Sequence, residues 1–471
     1  METTAFKLIP RRRPPWLLGL RSSTTFIIIT VWMSTFTEFF LYAMIVPVMP
    51  TALSHDTSKG QIRRSFVQPF PIKKPTHKKI EEYWISILLA SEAGTALLFC
   101  PIFGYFVDRT RTRKAPFICA LTLLAGCMVI LHISHSLTLF MVSRALEGCA
   151  SALAVVSSFA LLSDSVLQEY LGQTIGLVGS AIACGFLFGP FLGGLLFHNC
   201  GYDAVFYAAY LLVLVDLVLR TGMIEKKVAS SYLSSENGIE FESAEPGLEQ
   251  RDMGFALFKI LRQRRVLISS WGLLVQGILL SAFDTTLSIF VETRYGWSTL
   301  GMGLIFLPLG ITAFFQPLFG SITDRHGARI MAFTCFFLLS PALICLGFVE
   351  KNSTESITLL IILLTIIGIF IHACTPAMYV ETQLTLAAME LKDPGLFGPK
   401  SAVAQGFGLQ SMCQFAGLFF GPLWGGFVEY RFGWGVMTGT LGVLTLLTAL
   451  PMLWLSGTEI QDEERQPLLN S

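Results

Sequence analysis

The sequence predicts an all-α membrane protein, with twelve transmembrane helices in two homologous six-helix bundles. Three observations predict it. The 471 residues are 53% apolar and only 14% charged, where an average soluble protein carries roughly 25% charged residues. Twelve apolar runs come near the ~20 residues that a helix needs to cross a bilayer. Two motifs occur once in each half of the chain. The runs must be helical, because open backbone in lipid leaves polar groups unsatisfied. This composition leaves too little polar surface for a secreted enzyme, a nucleic-acid binder or a disordered protein.

The runs lie near 25–50, 83–106, 116–134, 137–163, 172–197, 203–222, 266–291, 299–322, 330–349, 356–380, 402–428 and 434–456. The polar stretch 223–265 separates six from six. The expected organisation is a cytoplasmic tail (1–24), a bundle (25–222), a cytoplasmic linker (223–265), a second bundle (266–457) and a cytoplasmic tail (458–471). Basic residues set the orientation. They cluster in the first tail, in the 2–3 loop (Arg109, Arg111, Arg113, Lys114), in the linker (Arg262, Arg264, Arg265) and in the 8–9 loop (Arg325, Arg329). All four clusters share one side if both termini are cytoplasmic. The loop 51–82, with Lys59, Arg63, Arg64, Lys73, Lys74, Lys78 and Lys79, disobeys and is outvoted. The glycosylation sequon Asn352-Ser353-Thr354 then falls outside.

A charge at the centre of a membrane helix costs about 2.5–3.5 kcal/mol on insertion scales, so each one needs a reason. Span 1 carries Glu38, with Thr35, Tyr42 and Ile45 on its face. Thr35 and Tyr42 can offer hydroxyls to the carboxyl group. Span 4 carries Arg144, whose guanidinium needs a partner, with Glu147 three residues on. Span 6 carries Asp216 and Arg220, which read as a surface pair. Span 7, the repeat equivalent of span 1, carries Asp284 beside Thr285 and Thr286. Acids in both matching helices point to a shared central cavity. His372 in span 10 reads either as a titrating group or as a satisfied core residue. His132 and His135 suggest no metal site. Gln276, Gln316, Gln405, Gln410 and Gln414 are neutral polar groups in spans, and Gln410 and Gln414 share a face of span 11. They suit substrate hydrogen bonds or contacts between helices. The ten cysteines are scattered without a CxxC, as small buried hydrophobes would be. No nucleophile-base set, phosphate loop or Walker pattern occurs, so no enzyme, cofactor, metal site or ATP-driven machine is expected.

The repeats are specific. Gly104-Tyr-Phe-Val-Asp108-Arg109 follows span 2, and Gly320-Ser-Ile-Thr-Asp324-Arg325 follows span 8. Asp108 can sit near a helix N-terminus and pair with a neighbouring guanidinium. The turn is either a latch that breaks and re-forms or a plain charge cluster that sets topology. The pattern GxxxGPxxGG occupies span 5 (Gly185, Gly189, Pro190, Gly193, Gly194) and span 11 (Gly417, Gly421, Pro422, Gly425, Gly426). Glycines four apart let another helix approach closely. Each proline removes a donor and permits a bend. These residues form a bendable interface or simply a tight packing site.

These motifs resemble those of the major facilitator superfamily over nearly the whole chain. Gly104 to Lys114 resembles its loop motif GxxxDRxGRR/K, with Arg111 in place of the internal Gly and Thr112 at the next basic position; the second copy keeps Gly327. Arg144 to Gly148 resembles RxxxG, with Glu147 where Gln is common. Gly185 to Gly194 resembles the span-5 motif of proton-driven exporters rather than uptake symporters. Thr37 to Tyr42, followed by Val46-Pro47, resembles the first helix of the drug:proton antiporter branch, which includes vesicular amine transporters. Fungal members of that branch, many of them exporters of toxic or secondary metabolites, look most alike. The resemblance implies the major facilitator fold and alternating access around a midplane site. It links Arg144 to proton coupling and makes Glu381 a candidate acid.

The expectation is a proton-coupled antiporter, a functional monomer, that exports an apolar or amphipathic small molecule such as a drug, toxin or secondary metabolite. A carboxyl group carried between wet and dry surroundings can take up and release the coupling proton. The alternatives are a proton-coupled uptake symporter and a non-transporting receptor with a transporter fold. Glu464, Leu468 and Leu469 match an acidic dileucine sorting signal, ExxxLL. Residence in the plasma membrane or in a vacuolar or vesicular membrane is therefore expected.

Overall fold

The computed structural model describes residues 15–45, 77–110, 112–133, 137–226, 228–230, 232, 256–297, 299–349, 351–393, 396–397 and 402–456. Pro47, the basic residues Lys7, Arg11, Arg12 and Arg13 of the first tail, those of 51–76, Arg111, His135, linker residues 233–255 and the sorting sequence Glu464–Leu469 lie outside them. Among the described residues the structure is helical, with no strand.

The first half comprises α1 (Thr24–Ile45), α2 (His77–Arg109), α3 (Lys114–Ile133), α4 (Leu137–Ser165), α5 (Leu171–Cys200) and α6 (Tyr202–Gly222). The second comprises α7 (Arg264–Tyr295), α8, α9 (Ala328–Leu346), α10 (Thr354–Lys392), α11 (Val403–Phe432) and α12 (Trp434–Met452). Ten helices of the described residues are long and apolar enough to cross a membrane. The other two long helices, α2 and α11, pack on each other across the halves. α8 is not the single rod its apolar run predicts. It is built of Thr299–Leu304, Leu307–Thr312, a 3-10 turn at Ala313–Phe315, and Gln316–His326. Pro308 and Pro317 each remove a backbone donor there. α10 runs twelve residues past its expected end at 380, to Lys392. The added Leu-Ala-Ala-Met-Glu-Leu-Lys segment consists of good helix formers and stops just before Pro394.

Gly201 and Gly433, the residues that follow each glycine motif, have φ of +86° and +88°. Few side chains tolerate that backbone, and it turns α5 directly into α6 and α11 into α12. Ser353 caps α10 by accepting from Ser356 N at 3.2 Å. This places Asn352 of the sequon, exposed, just ahead of the helix.

Within each half the glycine helix packs on the first helix, α5 on α1 and α11 on α7. Between halves, α2 packs on α11 and α5 on α8, with lesser contacts of α4 on α11 and α5 on α10. These are repeat-equivalent pairs, so the halves meet about a pseudo-twofold relation. The core is continuous across the halves at the Asp108/Asp324 end. There Phe159, Leu162 and Ile175 belong to one cluster with Tyr379, Leu384 and Phe407. Toward the other end Met44, Leu131, Phe140 and Phe206 cluster only with first-half residues.

Candidate functional site: latches, packing faces and a buried charge cluster

Each Asp-Arg turn caps a helix of the opposite half. Asp108 Oδ1 accepts from Ala404 N at 3.0 Å and Oδ2 from Gln405 N at 2.9 Å, in the first turn of α11. Asp324 Oδ1 and Oδ2 accept from Gly172 N at 3.0 Å and Gln173 N at 2.9 Å, in the first turn of α5. A helix start leaves N–H groups unpaired and favours negative charge, so both carboxylates are well placed. Gly104 and Gly320 make the approach possible. A Cβ on Gly104 would lie 2.8 Å from Ala404 O, and one on Gly320 would lie 2.0 Å from Gly172 O. Arg113 pairs with Asp108 at 3.1 Å and with Asp164 at 3.2 Å. Arg109 lies over the Tyr105 ring at 4.3 Å, and Arg325 is exposed. Just inside this end, Phe159 of α4 lies tilted against Tyr379 of α10, with ring centres 4.6 Å apart, and stacks at 5.4 Å on Phe407 of α11.

The glycine motifs face their own halves. Cβ atoms on Gly185 and Gly189 would lie 2.8 Å from Phe39 Cβ and Ala43 Cβ of α1. Those on Gly417 and Gly421 would lie 2.2 Å from Leu274 O and 2.1 Å from Ser281 Oγ of α7. Gly194, expected to pack, has nothing within 4 Å, and neither has Gly426. Positions 185, 189 and 193 recur every four residues and share one face, whereas 194 is rotated about 100° from 193. Gly193, against Met44, takes the packing role. α5 and α11 run on as helix through Pro190 and Pro422.

Arg144 is fully buried. Its Nη1 lies 2.8 Å from Glu147 Oε2 and 3.6 Å from Glu92 Oε2 on α2. Its guanidinium carbon lies 5.2 Å from the centre of the Tyr42 ring on α1. Glu38 is buried on the same side of α1. Its carboxyl group lies near Ser151 of α4 and near Glu147 and Glu92. Thr35 and Tyr42 are the hydroxyls the sequence offers it; Ser151 comes near from another helix. Glu92 escaped the sequence reading. An acid between Ser91 and Ala93-Gly94, inside an apolar run, was the available signal.

Asp284 is exposed on α7 rather than packed in the core. Thr285 and Thr286 turn their hydroxyls back onto their own helix. Gln410 donates to Ser269 Oγ at 2.9 Å and to Thr382 Oγ1. Gln414 donates to Gln276 at 3.1 Å and accepts from Tyr379 OH at 2.9 Å. Both glutamines thus tie α11 to α7 and α10. His372 and Gln316 pair at 2.8 Å. Glu381 is held by Arg265 at 2.5 Å and by Ser456 N at 3.1 Å, a structural tie rather than a cavity acid. Asp216 and Arg220 are not a surface pair. Both are buried, with Arg220 Nη2 2.8 Å from Asp216 Oδ2 and Ser34 donating to Asp216 at 2.7 Å. Sequence shows that the two share a helix face. Only the packing of α1 and α3 over that face buries it.

A family model described as the Major Facilitator Superfamily matches residues 31–380 and 307–469. The chain belongs to this superfamily. Members are transporters, not enzymes, and the chain is a multi-pass integral membrane protein and a secondary transporter of small molecules. Over 94% of its length it is 30% identical to the MFS-type transporter ppzB of Metarhizium rileyi, covering 97% of that protein. It is 23% identical to the probable vesicular acetylcholine transporter-A of Danio rerio, over 94% of this chain and 81% of that one. The crystal structure of the human organic anion transporter MFSD10 (TETRAN) shares the major facilitator fold, with a TM-score of 0.67 at 18% identity. That match covers 91% of this chain and 99% of the other.

Proposed function

We propose that this transporter is a proton-coupled antiporter that exports an apolar or amphipathic small molecule by alternating access. The observation that carries this reading is the fully buried Arg144 guanidinium between two carboxylates, Glu147 and Glu92, beside Glu38. One cation neutralises one carboxylate. The remaining charges must be cancelled by protons or by a bound cation, since an uncompensated buried charge is strongly disfavoured. A site that must choose between a proton and a substrate is what antiport requires.

Positive-inside orientation puts the Asp108/Asp324 end in the cytoplasm. The state described here then has its cytoplasmic end closed by the two caps and by the Phe159–Tyr379 contact. Asp284 faces the open side. Bundles 25–222 and 266–457 rock about a central cavity between Glu38 and Asp284, joined by the linker 223–265. Breaking the caps opens the cytoplasmic side. A vesicular acetylcholine transporter among the relatives supports an amphipathic substrate. It also supports residence in a vesicular as well as a plasma membrane.

The test uses the purified protein in liposomes with an imposed pH gradient and a panel of lipophilic cations and neutral metabolites. Movement opposite to the proton gradient is expected. Movement with the protons would make the protein a symporter and overturn the export reading.

A further inference from the structure

The charge cluster is built in one half only. Gly148 of α4 presses on α2, where a Cβ would lie 2.3 Å from Glu92 O. Gly368 of α10 makes the equivalent contact in the second half, where a Cβ would lie 3.1 Å from Leu309 O of α8. Arg144 and Glu147 precede Gly148 by four residues and one; Leu364 and Ile367 hold those places before Gly368. In the register set by Gly104 and Gly320, Glu92 itself corresponds to Pro308, next to Leu309. The same backbone contact thus carries three ionisable groups in one copy and three aliphatic side chains in the other, so packing does not require the charges.

The cluster is also under-satisfied. Twelve buried side-chain nitrogen and oxygen atoms of the described residues have no hydrogen-bond partner. Five of them are Arg144 Nε and Nη2, Glu147 Oε1, Glu92 Oε2 and Glu38 Oε1. Each such atom costs about 1–3 kcal/mol, more when charged, so their concentration here calls for a functional reason.

The three carboxylates differ in access. The Arg144 and Glu147 side chains are 0% and 1% exposed, whereas that of Glu92 is 12% exposed. Glu38 is 5% exposed. Glu92 is therefore the member at the rim of the cluster. It is also the one held loosely, at 3.6 Å from the guanidinium against 2.8 Å for Glu147. The groups that face it are Arg144 and Glu147 of α4 and Glu38 and Tyr42 of α1. α11, packed on another face of α2, presents Phe419 beside Gly94.

We propose that Glu92 is the proton-exchanging residue of this transporter and that Gly148 positions it against Arg144. This rests on the antiport reading above. In the step, one Glu92 carboxylate oxygen binds a proton arriving from the cavity and becomes a neutral carboxylic acid. Arg144 then stays paired with Glu147 alone, and the set Arg144, Glu147 and Glu92 is neutral. Loss of that proton restores a second carboxylate beside one guanidinium. Arg144 is then drawn toward α2 and away from the Tyr42 ring, which couples protonation to the position of α1.

The test needs no substrate. Spin labels are placed on the two halves at the Asp108/Asp324 end of the full-length protein in lipid nanodiscs, and the distance distribution is recorded from pH 5 to pH 9. The wild type should titrate between two distances. Glu92→Gln should remove the titration, and Glu92→Asp should keep it with the midpoint displaced. A wild-type curve unchanged in Glu92→Gln would overturn the assignment of Glu92 while leaving antiport standing. A wild type that does not titrate would overturn both. If Glu92→Gln does not fold, Glu92→Asp decides alone: an unmoved midpoint refutes the proposal.

Discussion

Replacing Asp108 with Asn should open the end of the molecule that this carboxylate seals. Asp108 is 5% exposed and accepts two backbone N–H bonds from α11, at 3.0 and 2.9 Å. Hydrogen bonds to a charged group contribute about 1.5–3 kcal/mol each. The amide keeps one acceptor and turns an NH2 toward the other donor, so one bond is lost and a repulsion is added. The loss is about 3 kcal/mol, and it falls only on the state in which α2 and α11 touch. At about 1.4 kcal/mol per tenfold, the ratio of open to closed should rise roughly 100-fold. Cys100 reports on it. Its side chain is fully buried in α2, and its carbonyl lies where Gly408 of α11 packs. In a background lacking the other nine cysteines, its alkylation by a water-soluble maleimide should accelerate by about that factor, up to the limit of a fully open state. Acceleration of less than threefold would mean that the cap does not hold the halves together. The reasoning would then fail for Asp324 as well.

Gly417→Ala should cost about 1–3 kcal/mol of thermal stability by overpacking, because its Cβ would meet Leu274 O at 2.2 Å, while Gly426→Ala, with nothing within 4 Å, should be neutral. Melting curves in detergent compare the two. Asp216→Ala should destabilise by about 3–5 kcal/mol, since it leaves Arg220 buried without its carboxylate. The readout is loss of monodisperse protein on size exclusion. Arg144→Lys should abolish gradient-driven transport despite keeping the charge, because the shorter lysine side chain cannot bring its ammonium to the place of Nη1, where one nitrogen meets both Glu147 and Glu92. Proteoliposome uptake measures it.

Much of the site was legible in the chain because its signals are local. Glu38, Arg144 and Asp284 stand out as charges inside apolar runs. The two Asp-Arg turns and the two glycine motifs stand out as repeats. What the runs conceal is which helix each face meets. Glycines 185, 189 and 193 show a packing face by their spacing, but not that α1 occupies it. Glu92 lay in view as an isolated acid and gained meaning only when Gly148 brought α2 against α4.

The sequence by itself determined the membrane class, the internal repeat and the superfamily, because composition, span length and motif spacing are properties of a chain in order. The tertiary structure alone decided the partners. Asp108 caps a helix through Ala404, 296 residues later. Asp216 and Arg220 are core rather than surface, and Gln410 and Gln414 are ties between helices. The charges gather in one half of a fold whose backbone repeats in both. Periodicity along one helix fixes which side chains share a face. Burial and pairing depend on what packs over that face, and this is set by residues hundreds of positions away.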